Sequence, residues 1–199
     1  FLDDSGGVFR NVRAAIGAAA GVGNVHVGVD LGRTNDATVF TAISGGHVVE
    51  QDAFTGIGWE LQFGRLETFC AKHKPASVLI ETNFNDMFTE RAQRELGWYV
   101  EGFRTGEQSK RDVIDALALA IERGEVTYPD IPVLVNELEA FEYSAGPTGK
   151  LKMRAPVGFH DDCVMSLALA HWAELTAQPA GSFSDVRKAK PGIFAGRGR

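Results

Sequence analysis

Val25-His26-Val27-Gly28-Val29-Asp30-Leu31-Gly32 opens the stretch that decides the fold, and the segment from Thr38 to Phe54 completes it. Residues 25 to 31 alternate and are β-branched, which predicts a strand. Residues 38 to 44 predict a second strand, Gly45-Gly46 is a hairpin signal, and residues 47 to 54 return as a third. Three antiparallel strands in succession follow from this one segment.

Working outward, Trp59, Leu61, Phe63, Leu66, Phe69 and Cys70 recur at roughly helical spacing, so a helix is expected over 58–73, ended by Pro75. Ser77 to Thr82 is a short continuous apolar run that suits a central strand buried on both faces. A helix over 86–96 stopped by Gly97 and a strand over 98–104 come next. Ser109-Lys110-Arg111-Asp112 has the pattern of a capping box, with Asp in place of Glu or Gln, ahead of a helix ending near Gly124. A short helix over 133–141 leads to a hairpin, with 142–145 and 151–155 flanking Gly146-Pro147-Thr148-Gly149-Lys150. The last helix, 161–176, carries Val164, Leu167, Ala168, His171 and Leu175 as its expected buried stripe. This order is that of an α/β, ribonuclease H-like mixed sheet, three antiparallel strands then parallel strands, with helices on both faces plus a β-hairpin. In that topology the first and fourth strands lie side by side, and the N-terminal end of the last helix comes near them.

The 199 residues suit one domain with tails. Hydrophobic content of 44% and charged content of 23% are those of an ordinary globular protein. No stretch approaches the ~20 apolar residues of a membrane span. Cys70 and Cys163 form no CxxC pair, which argues against a disulfide framework or a zinc site and for a reducing compartment. A net charge of −6 speaks against a broad basic nucleic-acid face, although charge placement matters more than the sum. The chain begins with Phe1, and residues 1–24 read as a linker remnant from a preceding domain. Residues 25–177 form the expected folded domain. Residues 178–199, with Arg187, Lys188, Lys190, Arg197 and Arg199 against the single acid Asp185, read as a basic, disordered tail.

Three acidic stations stand at the ends of apolar runs: Asp30, Glu81, and the pair Asp161-Asp162. Carboxylates buried at strand ends are costly without a counter-charge, and several at one point repel one another. A divalent cation removes both objections, so the set reads as a hard-metal site of oxygen ligands able to activate water against phosphodiesters. Each member also has a plainer reading. Asp30 could start a turn, Glu81 could pair with a basic residue, and Asp161 and Asp162 could complement a helix dipole. Asp36, across the turn from Asp30, could bind metal or pair with Arg33. Asn83 and Asn85 could contact phosphate, or simply form turns. His160 could transfer a proton near a scissile phosphate or pack at the helix start. Lys150, Lys152 and Arg154 in the hairpin, Lys110 and Arg111 early in their helix, and Arg33 beside the acids are candidate phosphate contacts.

The stretch Gly28 to Val39, then Glu81-Thr82-Asn83, Ser109-Lys110-Arg111-Asp112 and Phe159-His160-Asp161-Asp162-Cys163-Val164-Met165-Ser166-Leu167-Ala168-Leu169-Ala170, in that order, resembles the nuclease domain of tailed-phage terminase large subunits. The likeness covers about residues 25 to 176, and Phe1 to Val12 resembles the segment joining the packaging ATPase to the nuclease. The resemblance implies a metal-dependent endonuclease that cuts concatemeric double-stranded viral DNA in the host cytoplasm, transiently at the procapsid portal vertex. Its implied partners are the portal protein, the small terminase subunit and the ATPase domain of the same polypeptide. By position, Asp30, Glu81 and the Asp161-Asp162 pair match the family's acids, and Asp36 matches an additional one. The implied chemistry is hydrolysis with two Mg²⁺ or Mn²⁺ ions, Asp30 bridging, Glu81 on one side and Asp161 or Asp162 on the other. Many members carry Asp where this chain has the longer Glu81. No GxxxxGK[ST] loop occurs, so no ATP hydrolysis is expected. Rival readings are a sugar-kinase-like fold on the strength of Asp30-Leu31-Gly32, a Holliday-junction resolvase-like nuclease, and a non-catalytic DNA or portal docking module.

Overall fold

The computed structural model describes residues 7–17, 21–32, 36–83, 85–97, 99–145, 151–156 and 158–177. Strands β1 (Val25–Asp30), β2 (Thr38–Ser44) and β3 (His47–Phe54) are followed by α1 (Trp59–His73), β4 (Ser77–Glu81), α2 (Asp86–Leu96) and β5 (Val100–Phe103). Then come α3 (Glu107–Glu122), α4 (Pro132–Ala140), β6 (Glu142–Ala145), β7 (Leu151–Arg154) and α5 (Asp162–Ala177). The main sheet runs β3-β2-β1-β4-β5. Its β1–β2 and β2–β3 pairs are antiparallel, and its β1–β4 and β4–β5 pairs are parallel. This is the ribonuclease H-like sheet expected from the element order. β6 and β7 form a separate antiparallel hairpin.

Period-two alternation divides the core. Val27, Val29, Phe40 and Ala42 pack with Phe63, Leu66 and Phe69 of α1 on one face of the sheet. Val39 and Ile43 point the other way and join Ile114 and Leu117 of α3 and Val164 and Leu167 of α5. Gly45 and Gly46 take φ of 55° and 74°, the left-handed values a tight β2–β3 turn requires.

Helix α5 lies across β1 and β2. Its burial extends beyond the expected stripe. Met165, Ser166, Leu169, Ala170 and Ala173 are buried as well, while Leu175 is only half-buried. A helix enclosed all round carries apolar or small residues on every face. The contact with β1 is main chain to main chain at Gly28, where an added Cβ would stand 2.1 Å from the Ser166 carbonyl oxygen. The Ser166 hydroxyl lies 2.9 Å from the Gly28 carbonyl, 3.0 Å from that of Val39 and 2.9 Å from the Thr41 hydroxyl, tying α5 to both strands.

Two other boundaries differ from expectation. α3 starts at Glu107 with Gly106 as its cap, so Ser109 is the third helical residue. Its hydroxyl reaches back to accept from the Gly106 N–H at 2.8 Å and donates to the Arg104 carbonyl at 3.0 Å. Lys110 and Arg111 therefore sit in the second turn. Near the start of the chain, Val8, Phe9, Val12 and Ala15 are buried in the same core as α3 and α5, although a linker was expected over 1–24. The Val8 N–H donates to the Phe141 carbonyl at 3.0 Å, the Tyr128 N–H donates to the Ala15 carbonyl at 3.1 Å, and the Tyr128 hydroxyl donates to the Val12 carbonyl at 2.7 Å.

Candidate active site

Parallel pairing of β1 with β4 sets Val29 opposite Ile80, so the next positions, Asp30 and Glu81, emerge side by side at the carboxyl edge of the sheet. Both are buried, at 7% and 9% exposure. Their carboxyl groups lie close enough for Glu81 to oppose the ionisation of Asp30. Burial holds the Asp30 carboxyl well above the usual Asp range. Its contact with Glu81 and the charges of Glu81, Asp162 and Asp161 push it the same way. Two carboxyl groups in such contact demand a shared proton or a cation.

The start of α5 brings the other acids. Asp30, Asp36, Glu81, Asn83, Lys110, His160, Asp161 and Asp162 all line one cleft of 520 Å³, together with Phe159, Thr105 and Met165. Asp162 accepts the Ala37 N–H at 3.2 Å, and its carboxylate stands 3.7 Å from the ring of His160. Burial raises its pKa, and the Ala37 hydrogen bond works against that. Asp161 instead accepts from the Lys110 ammonium at 2.7 Å. The two neighbouring acids are thus distinct. Asp162 faces the β1–β2 turn, and Asp161 is paired with α3.

Among the described residues, no three His, Cys, Asp or Glu side chains are grouped closely enough to hold an ion as they stand. The site consists of the Asp30–Glu81 pair with Asp162 and Asp161 flanking it. The donor set nevertheless fits a hard cation. It is all oxygen, anionic, and includes a buried carboxylate whose ionisation is otherwise opposed.

Of the other expected residues, Arg154 is exposed on β7 opposite Glu142, and Arg111 is exposed on α3; neither lines the cleft. Lys152 pairs with Ser144 through the backbone of the hairpin. The side chain of Lys152, and all of Arg33 and Lys150, lie outside the described residues, as does the hairpin tip over 146–150. Asn83 exchanges hydrogen bonds with the Thr105 backbone at 2.6 and 2.9 Å, which ties the β4 exit to the β5 exit. Asn85 caps α2 through the Phe88 N–H.

Sequence reasoning missed Glu137. Nothing marks it within the α4 sequence, because its partners are the Cys163 and Val164 N–H groups of α5. Burial pushes its carboxyl up to about 7. The two N–H donors oppose this, and the charge of Asp162 adds to it. With a folded value above the unfolded one, the native state binds the extra proton, so this contribution to stability is lost as pH rises from about 4.5 through 7. His171, pushed down to about 4 by burial, runs the other way, so the wild-type trend alone is uninformative. The expected result is that Glu137→Gln gains about 3 kcal/mol on the wild type across that window. Paired thermal melts by circular dichroism in chelator check it; a pH-independent difference contradicts it.

No protein-family model matches the sequence. The terminase large subunit of Thermus virus P23-45 is 31% identical over 148 residues, covering 73% of this chain. The chain spans 30% of that relative's length. The crystal structure of the large terminase nuclease from thermophilic phage G20c superposes with a TM-score of 0.74 at 27% identity, covering 84% of this chain and 98% of that one. The same nuclease with bound magnesium gives a TM-score of 0.75 at 26% identity, covering 84% and 97%. By sequence and by fold, the chain belongs to the nuclease domains of phage terminase large subunits.

Proposed function

We propose that this chain is a divalent-metal-dependent endonuclease that cuts concatemeric double-stranded viral DNA during genome packaging. The observation that carries the reading is the buried Asp30–Glu81 pair on adjacent parallel strands, with Asp161 and Asp162 brought to the same cleft by α5. A relative of the same fold has been crystallised with magnesium. Bound Mg²⁺ or Mn²⁺, as two ions, supplies the charge that makes water a nucleophile at neutral pH and stabilises the departing oxygen.

The residues would divide the work. Asp30 and Glu81 form the floor that holds the cations, with Asp162 and Asp161 as flanking ligands and Asp36 at the rim. The Ala37 N–H fixes the rotamer of Asp162. Lys110 holds Asp161 and offers its ammonium to a phosphate oxygen. His160, with a side chain 62% exposed beside Asp162, would accept or donate a proton near the scissile phosphate. Arg33, Arg111, Lys150, Lys152 and Arg154 would contact phosphates and position the duplex without reading its sequence. The partners we infer are the portal protein, the small terminase subunit and an ATPase domain of the same polypeptide. The setting is the cytoplasm of an infected bacterium, and transiently the procapsid portal vertex. Among the described residues no helix is long and apolar enough to cross a membrane.

An agarose-gel assay of supercoiled plasmid tests the reading. Nicked and linear products are expected with Mn²⁺ or Mg²⁺ and none with EDTA. A folded chain that leaves plasmid intact at every Mn²⁺ concentration would instead be a docking module. Strong preference for four-way junctions over linear duplex would favour a resolvase.

A further inference from the structure

The first turn of a helix leaves its N–H groups without intrahelical partners, and the residue at the cap position ordinarily accepts one of them, with Asp among the best cappers. In α5 the Met165 N–H bonds the Asp161 carbonyl at 2.8 Å, which puts Asp161 at the cap position. Its carboxylate is nevertheless turned to Lys110. The Cys163 and Val164 N–H groups go to a single oxygen of Glu137, at 2.8 and 3.1 Å. Glu137 belongs to α4 and is 7% exposed, so the bonds are shielded from water.

We propose that Glu137 is a positioning residue for the active site: by capping α5 from a neighbouring helix, it frees the Asp161 carboxylate to face the cleft beside Asp162. The proposal rests on the nuclease reading above. Without Glu137, the nearest acceptor for the two N–H groups is Asp161 itself, which folds back onto its own helix and leaves the cleft. The helix keeps a cap, so stability changes little while cation binding suffers. A purely structural role gives the reverse pattern, a large loss of stability with cation binding intact.

The test uses the full chain as wild type, Glu137→Ala and Glu137→Gln. Mn²⁺ binding is followed by isothermal titration calorimetry, and metal-free melting by circular dichroism. Glu137→Gln keeps an oxygen that can accept both N–H groups and is expected to bind Mn²⁺ as the wild type does. Glu137→Ala is expected to fold and to bind Mn²⁺ about 10- to 100-fold more weakly, the range for lost ligand support. Should Glu137→Ala fail to fold, Glu137→Asp replaces it; the shorter side chain withdraws the oxygen and the same weakening is expected. A folded Ala or Asp variant with wild-type Mn²⁺ affinity overturns the proposal, as does a Gln variant as weak as either. A wild-type chain that binds no Mn²⁺ overturns the nuclease reading and this proposal with it, whereas wild-type binding confines any failure to Glu137.

Discussion

Asp30→Asn is expected to leave a folded chain that no longer cuts plasmid. The side chain is nearly isosteric, so the packing at the end of β1 survives. The charge that would hold a cation against Glu81 is gone. A cation in such a site supplies several kcal/mol of transition-state stabilisation. At about 1.4 kcal/mol per decade, its loss is on the order of a 10³-fold drop in rate. The fold should respond in the opposite direction. Burial and the neighbouring acids oppose ionisation of Asp30, so at neutral pH a neutral amide relieves the metal-free protein. The melting temperature in EDTA is expected to match the wild type or exceed it by about a few degrees. Residual cutting at the wild-type rate would remove Asp30 from the machinery.

The largest expected effect on stability comes from a methyl group. In Gly28→Ala the new Cβ would meet the Ser166 carbonyl oxygen at 2.1 Å, the Ala170 nitrogen at 2.3 Å and the Leu169 carbonyl carbon at 2.9 Å. All three are backbone atoms, so no side chain can swing away. α5 has to lift from β1, breaking the bonds of the Ser166 hydroxyl to Gly28 and Val39 and carrying Asp161 and Asp162 away from Asp30. The cost is on the order of 4 kcal/mol or more, with a melting point lower by about 10 °C and nuclease activity lost in step. Gly64→Ala is the control. Gly64 lies in α1 with nothing within 4 Å of an added Cβ, and the substitution is expected to be neutral or stabilising by up to about 1 kcal/mol. Equal melting points for the two variants would contradict this account of the helix–strand contact.

The sheet was legible because its signals are local. β-branched alternation, a Gly-Gly turn and a short apolar run announce β1 to β4 within a few residues each. The fold then brings the acids at their ends onto one cleft. What the sequence concealed depends on pairs far apart in it. Ser109 reads as a cap and is three positions inside its helix, where its hydroxyl is drawn back to Arg104 and Gly106. Lys110 reads as a candidate phosphate contact, and its pairing with Asp161, 51 residues away, emerges only in the fold. α5 reads as one stripe because periodicity reports a helix's preferred face, whereas the neighbours of α5 cover nearly all of it. Glu137 carries no local mark, since an acid on a short helix is ordinary until the start of another helix arrives beside it.

The stretch from Gly7 to Gly17 grips α4 at both ends. Val8 is fastened to Phe141, just past the end of the helix, while Val12, Ala15 and Gly17 are fastened to Tyr128, just before its start. Tension applied to the chain ahead of Gly7 would therefore load α4 before it reaches the sheet. A tug transmitted through the N-terminal strap would be felt first by the helix that carries Glu137, and only later by the strands that carry Asp30 and Glu81.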